Sequence, residues 1–281
     1  MRLGIFAKTF PGNTPWAVME AARAAGYTAV QYNMACSGLP SVPVMIPEVI
    51  ARDVRAAANA TGVEIAAVSA TYNMIHPDPS VREQGHAGLR AIAQTAAIMG
   101  TRLLTLCTGT RDPADQWRRH PENQTPSAQR DLLASMEVAL GIAEENDVDL
   151  GVEPELANVI DSAARARWLI DELQSPRLKI VFDPANLFER ESRDTEHAII
   201  AHACDLLADR IAIAHAKDRR EDGSATAAGH GRMDYPHYLK CLHSVGFRGP
   251  LVTHGLDAGQ AHGVSAYLRS QLIDLGLQVP A

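Results

Sequence analysis

Residues 179–218, KIVFDPANLFERESRDTEHAIIAHACDLLADRIAIAHAKD, hold one complete unit of the chain's architecture. Residues 179–183 and 211–215 are short, β-branched apolar runs, and residues 195–208 between them carry the apolar spacing of an amphipathic helix. A strand, a helix and a second strand at this spacing read as a parallel crossover. Working outward in both directions, the same alternation recurs. Strands are expected at 3–8, 29–33, 63–69, 103–107, 149–153, 179–183, 211–215 and 251–254, with helical patterns at 15–25, 47–61, 80–99, 128–146, 162–173, 195–208, 235–245 and 265–275. Most of the strands are continuous apolar runs, as when both faces are covered. Gly26, Gly62, Gly100 and Gly246 follow helical runs where a left-handed cap needs glycine. Eight consecutive βα pairs close most simply as a single (β/α)8 TIM barrel. An open doubly wound sheet would usually show a glycine-rich phosphate loop after an early strand, and Thr9-Phe10-Pro11-Gly12-Asn13 is not one. With no linker or shift in composition, residues 1–281 read as one domain.

The composition narrows the function. Lys and Arg number 26 against 33 Asp and Glu, a net charge of −7, which argues against a nucleic-acid or anionic-membrane partner. No apolar run reaches the ~18 residues of a membrane helix, and the N-terminus reads as the first strand, not as a signal peptide. Cys36, Cys107, Cys204 and Cys241 are scattered without a C-x-x-C spacing, which suits reduced thiols in a cytoplasmic protein.

In such barrels the chemistry sits at the C-terminal ends of the strands. Glu153 ends the fifth, Asp183 the sixth, His215 the seventh and His254 the eighth. A carboxylate or imidazole closing an apolar strand is costly unless paired. Alone, each of the four reads as a turn former or a hydrogen-bonded core residue; four at matching positions point to one shared divalent cation. Two carboxylates and two imidazoles suit Mn or Zn, with Co, Fe or Mg as other candidates. His76, His120 and His230 fall in loops on the same face. Trp117, His120 and Asn123 occupy the long loop after the fourth strand, where the indole either stacks on a sugar face or packs at the rim. Lys217, Arg219 and Arg220 hold substrate oxygens or a phosphate, or pair with Asp218 and Glu221 in a solvated loop. Glu155 points away from the site if strand alternation continues through Pro154.

These residues resemble a known family. Glu153-Pro-Glu155, Asp183 with Asn186, Ile213-Ala-His215-Ala-Lys217-Asp218, Gly229-x-Gly231-x-x-Asp234 and Gly246-Phe-x-Gly249-Pro-Leu are similar to motifs of the xylose isomerase-like TIM barrels, the sugar phosphate isomerase and epimerase family. The resemblance implies a carbohydrate substrate, a divalent metal and a homodimer or homotetramer. In the ketose 3-epimerase branch the metal ligands are Glu, Asp, His and Glu, and both glutamates handle the proton. Glu153, Asp183 and His215 match the first three. The chain departs at His254, where the family has Glu, and at Asn186, where it often has His. The extra Asp-x-His ligand pair of the endonuclease IV branch does not occur between Lys217 and Gly231.

The expected reaction is an isomerisation or epimerisation. The metal chelates a carbonyl and its neighbouring hydroxyl, and so stabilises the enediolate left when the adjacent C–H is deprotonated. Glu153 is the expected base, with His254 as fourth ligand or opposite-face acid. Substrate contacts are expected from His76, Trp117, His120, Asn123, Glu155, Asn186, Lys217 and Arg219. A lyase or dehydratase acting on a keto-sugar or inosose, and a barrel that binds sugar or protein without turnover, are the alternatives.

Overall fold

A computed structural model describes residues 1–277. Its strands are β1 (Arg2–Phe6), β2 (Ala29–Tyr32), β3 (Glu64–Ser69), β4 (Leu103–Cys107), β5 (Asp149–Glu153), β6 (Leu178–Phe182), β7 (Ile211–Arg219), β8 (Ala225–Ala227) and β9 (Pro250–Thr253). Seven of these, β1 to β7, pair in parallel in chain order; β9 then joins β7 to β1, so eight strands close into a (β/α)8 barrel. The helices that follow are α1 (Pro15–Ala24), α2 (Glu48–Thr61), α3 (Pro79–Met99), α4 (Pro126–Glu145), α5 (Ala163–Leu173), α6 (Arg193–Leu207), α7 (Tyr235–Ser244) and α8 (Ala261–Asp274).

The seventh strand departs furthest from the sequence reading, and the short β8 was not expected. The seventh continues four residues past His215, because Lys217, Asp218 and Arg219 pair antiparallel with Ala227, Thr226 and Ala225 of β8. This extension carries Lys217 onto the same face as His215, two residues away.

The helices start and stop for local reasons. Thr14, Asp78, Ser162 and Asp234 accept backbone N–H groups at the starts of α1, α3, α5 and α7. Gly62 (φ 67°) and Gly100 (φ 100°) close α2 and α3 in the left-handed region that glycine favours. Between helices and barrel lies one apolar layer that includes Val18, Val54, Ile92, Met136, Leu169 and Leu268, all nearly inaccessible. A second, smaller cluster of Ala67, Val181, Ile213 and Val252 packs with Phe6, Ala66 and Leu103. Gly4 and Gly151 leave it room, since a Cβ on either would sit 2.8 and 2.9 Å from Val252 and Val181. No helix among the described residues is long and apolar enough to cross a membrane.

Candidate active site

Glu153 is the last residue of β5, Asp183 and His254 each lie one residue past their strands, and His215 lies within β7. The parallel register carries all four to one rim. One donor atom from each falls within 4.8 Å of every other. His215 Nδ1 is 3.3 Å from Glu153 Oε1 and 3.9 Å from Asp183 Oδ2, and His254 Nε2 is 2.9 Å from the same Oδ2. Donors ~2.1 Å from a tetrahedral cation stand about 3.4 Å apart, so the observed separations bracket what such an ion needs.

Each donor is held by a neighbour. Asp183 accepts Ala185 N–H on Oδ1 at 3.0 Å, leaving Oδ2 to face the cluster. Glu153 Oε1 accepts Asn186 Nδ2 at 2.8 Å. Phe6 stacks on His254, centroids 4.6 Å apart, and meets His215 edge-on at 5.2 Å. Gln31 sets the orientation of His215. Its amide nitrogen donates to the Ser69 and Thr105 hydroxyls at 3.0 Å each, so its oxygen faces His215 Nε2 at 2.9 Å. That arrangement places an imidazole proton on Nε2 and turns Nδ1 toward the carboxylates.

Lys217 is the cation among these groups. Nearly buried, it lies 3.2 Å from Asp183 Oδ2 and donates to Asn186 Oδ1. Burial disfavours its charge, but Asp183, Glu153 and Glu155 outweigh that and hold its pKa above the ordinary lysine value. Burial likewise works to raise the Asp183 carboxyl, and Lys217 and His254 overcome it, keeping Asp183 ionised. Glu153 follows the same pattern, with His215 outweighing burial. For His254 burial wins over the Asp183 hydrogen bond and lowers its pKa, so the ring is neutral near pH 7.

A cavity of about 490 Å³ opens over the cluster, bordered by Glu153, Asn186, Lys217 and His254 below and by Gln116 and Trp117 of the β4 loop. Trp117 is half exposed and available to a ligand. Glu155 also borders the cavity, where it was expected as a substrate contact, although strand alternation alone would turn it away. The alternation stops at Pro154, where the chain leaves the sheet and turns back, Glu155 N–H bonding Ile160 O at 2.9 Å. Burial pushes the Glu155 carboxyl up to about 7. Cys107 borders the cavity as well, its thiol held protonated by burial.

The other expected contact residues are placed elsewhere. His76 bonds Pro113 O through Nε2 and accepts Asp78 N–H, lining a separate depression. His120 accepts Glu122 N–H, at the start of the turn Pro121–Gln124. Asn123 is buried with its amide engaged by Thr110, Arg111 and Ala157. The Arg219 guanidinium donates to the carbonyls of Ala185 and Gly223, bracing one loop against another. Asp218 is fully buried, not in a solvated pair: its two oxygens accept the N–H groups of Arg219, Gly229, Gly231 and Met233 at 2.8–3.1 Å. Gln31 and Phe6 are contacts that the sequence reading passed over.

Among solved structures, the chain is similar to 3-keto-D-glucoside 4-epimerase from E. coli, at 17% identity over 96% of this chain and 99% of that one, TM-score 0.76. It is similar to an L-ribulose 3-epimerase at 16% identity over 98% and 94%, TM-score 0.76. The IOLI protein with a bound zinc atom aligns at 13% identity over 98% of both chains, TM-score 0.73. Identities this low establish the shared fold. No curated protein matches by sequence. The family model described as xylose isomerase-like TIM barrel matches residues 19–269, nearly the whole chain, and the protein therefore belongs to the xylose isomerase-like TIM barrel family.

Proposed function

We propose that this protein is a divalent-metal-dependent isomerase or epimerase of a small sugar or polyol ketone. The observation that carries the reading is the convergence of Glu153, Asp183, His215 and His254 on one point beneath a polar cavity that also holds Glu155 and Lys217. The epimerases among the structural neighbours, and the neighbour with bound zinc, support it. The donor set fits Zn or Mn, with all four side chains as ligands. When bound, such an ion supplies a Lewis acid that lowers the cost of negative charge on a substrate oxygen.

The chain's own groups then move the proton. Glu153, ionised and oriented by Asn186, is the base nearest the cluster. With His254 used as a ligand, a second proton-transfer group is needed, and Glu155 in the same cavity takes that role. Lys217 offers its ammonium to a substrate oxygen, and Trp117 offers a face to the sugar's C–H groups.

The deciding experiment pairs metal analysis of protein purified without chelator or metal-binding tag with ketose incubation in deuterated water. About one equivalent of Mn, Zn, Co or Fe, together with deuterium at the carbon next to the carbonyl, is the expected result. No metal, even after soaking with Mn²⁺ or Zn²⁺, sinks the proposal. The asymmetry of one glutamate and one histidine where the epimerase branch has two glutamates favours a lyase as the second reading. Loss of water from the substrate in the same incubation identifies it.

Three further results are expected. Glu155→Gln lowers turnover by roughly 10²-fold or more, the usual worth of a positioned acid or base, with metal content unchanged. Gln31→Ala weakens metal binding by about 10–100-fold, the usual effect of losing a group that orients a ligand, and titration with Zn²⁺ reads it directly. Lys217→Met removes a cation that shares Asp183 with the metal, so Zn²⁺ binding tightens in the same titration while turnover falls.

A further inference from the structure

The cavity over the cluster has a second lobe. A space of about 500 Å³ lies between the β1 loop, the β7–β8 hairpin and the β9 loop, and Phe6, Lys8 and His254 line both it and the first cavity. The two lobes therefore meet at the side chain closing the metal cluster. Among the candidate ligands only His254 reaches the second lobe, so proton transfer belongs in the first and the second receives another part of the molecule.

The lining of this lobe is rich in unused donors. The Lys8 ammonium donates no hydrogen bond and meets no carboxylate among the described residues. Arg220 is fixed through Nη1 alone, to Ser224 Oγ at 3.3 Å and Ala225 O at 2.9 Å, leaving its other N–H groups free. The hydroxyls of Thr9 and Thr226 also lack hydrogen-bond partners among the described residues. Gln260 has its amide oxygen engaged by Asp257 N–H at 3.0 Å, which leaves its NH₂ to the lobe. Against two cations and these donors stands one carboxylate, Asp257. A site with an excess of donors and net positive charge recognises an acceptor-rich anion.

We infer that the second lobe binds an anionic group, a phosphate or carboxylate, carried on the part of the substrate remote from the reacting carbons, with Lys8 and Arg220 as its main contacts. The inference rests on the carbohydrate reading of the first lobe and narrows it to sugars bearing a negative charge.

Binding to the metal-loaded protein tests it. Calorimetric titrations with D-glucose, D-glucose 6-phosphate, D-glucuronate and a neutral disaccharide, maltose, would be run on wild type and on Lys8→Ala/Arg220→Ala. Wild type is expected to bind one charged ligand at least 10-fold more tightly than glucose, and the double variant to lose that preference. Preference for the phosphate or for the uronate distinguishes the two sources of charge. Maltose bound as well as the charged ligands, a preference that survives in the double variant, or no preference at all each overturn the inference. Inorganic phosphate competition supplies a second readout, since phosphate should displace the charged ligand and leave glucose binding untouched. Running the titrations on Glu155→Gln as well separates the two claims. Charge preference without deuterium exchange in wild type would defeat the catalytic proposal alone, whereas exchange without charge preference would defeat the lobe alone.

Discussion

Asp183→Asn is expected to abolish stoichiometric metal binding and, with it, deuterium exchange into a ketose. Asp183 is fully buried, and its Oδ2 lies within 4 Å of His254 Nε2, His215 Nδ1 and Lys217 Nζ, so three groups depend on one oxygen. Asparagine keeps the shape and can still accept Ala185 N–H, but it removes the charge that balances Lys217 and would balance a divalent ion. Loss of a ligand should exceed the ~10–100-fold that loss of a supporting residue costs in metal affinity. Breaking a buried ion pair from one side also costs stability, about 3–5 kcal/mol where the stranded charge stays buried. Lys217 lines the cavity and can swing into it, so the stability loss should fall below that range. Metal analysis, calorimetric titration and thermal unfolding of the variant together check the expectation. A variant that still carries one tightly held equivalent would remove Asp183 from the ligand set.

The second large effect concerns stability. Asp218→Ala strips the acceptor from four backbone N–H groups, one of them on the buried residue Met233. A buried donor left without a partner costs roughly 1–3 kcal/mol, and exposed ones can turn to water, so the variant should lose about 1–3 kcal/mol, or on the order of 5 °C in Tm. Asp218 sits in β7 and pairs with Thr226, while its side chain gathers Gly229, Gly231 and Met233. Loosening that loop releases Arg219 and the floor beneath Lys217, so turnover should fall with stability. Differential scanning calorimetry at matched metal loading measures the first part. An unchanged Tm would mean that water replaces the carboxylate at no cost.

The barrel and the four cluster residues were legible because both are periodic. A strand end is a position that the alternation of strands and helices locates, and a charged or imidazole side chain there stands out against apolar neighbours. Lys217 was legible in part, since it follows His215 at the two-residue spacing of one strand face, but the sequence does not announce the β8 partner that prolongs the strand. Glu155 was legible as a candidate contact but not in its direction, because alternation carried past Pro154, where sheet pairing ends, turns it away from the site. Gln31 sits in a continuous apolar strand, and what it does depends on Ser69 and Thr105 from two other strands, a relation that only the closed barrel brings together. Asn123, His76 and His120 show the opposite failure. Polar side chains that satisfy loop backbone have the same composition as side chains that hold a sugar, and only their partners tell them apart.

Lys217 has a consequence for how the protein matures. In metal sites built only from anionic and neutral ligands, the empty state carries uncompensated repulsion, and folding waits for the ion. Here an ammonium from the chain itself already sits against Asp183. On the proposed metal role, the newly made polypeptide can therefore reach its final shape before any ion arrives, and loading would be an exchange of one positive charge for another. Which ion occupies the site would then be decided by what the finished barrel meets, and stripping it with a chelator should leave a folded protein ready to be refilled.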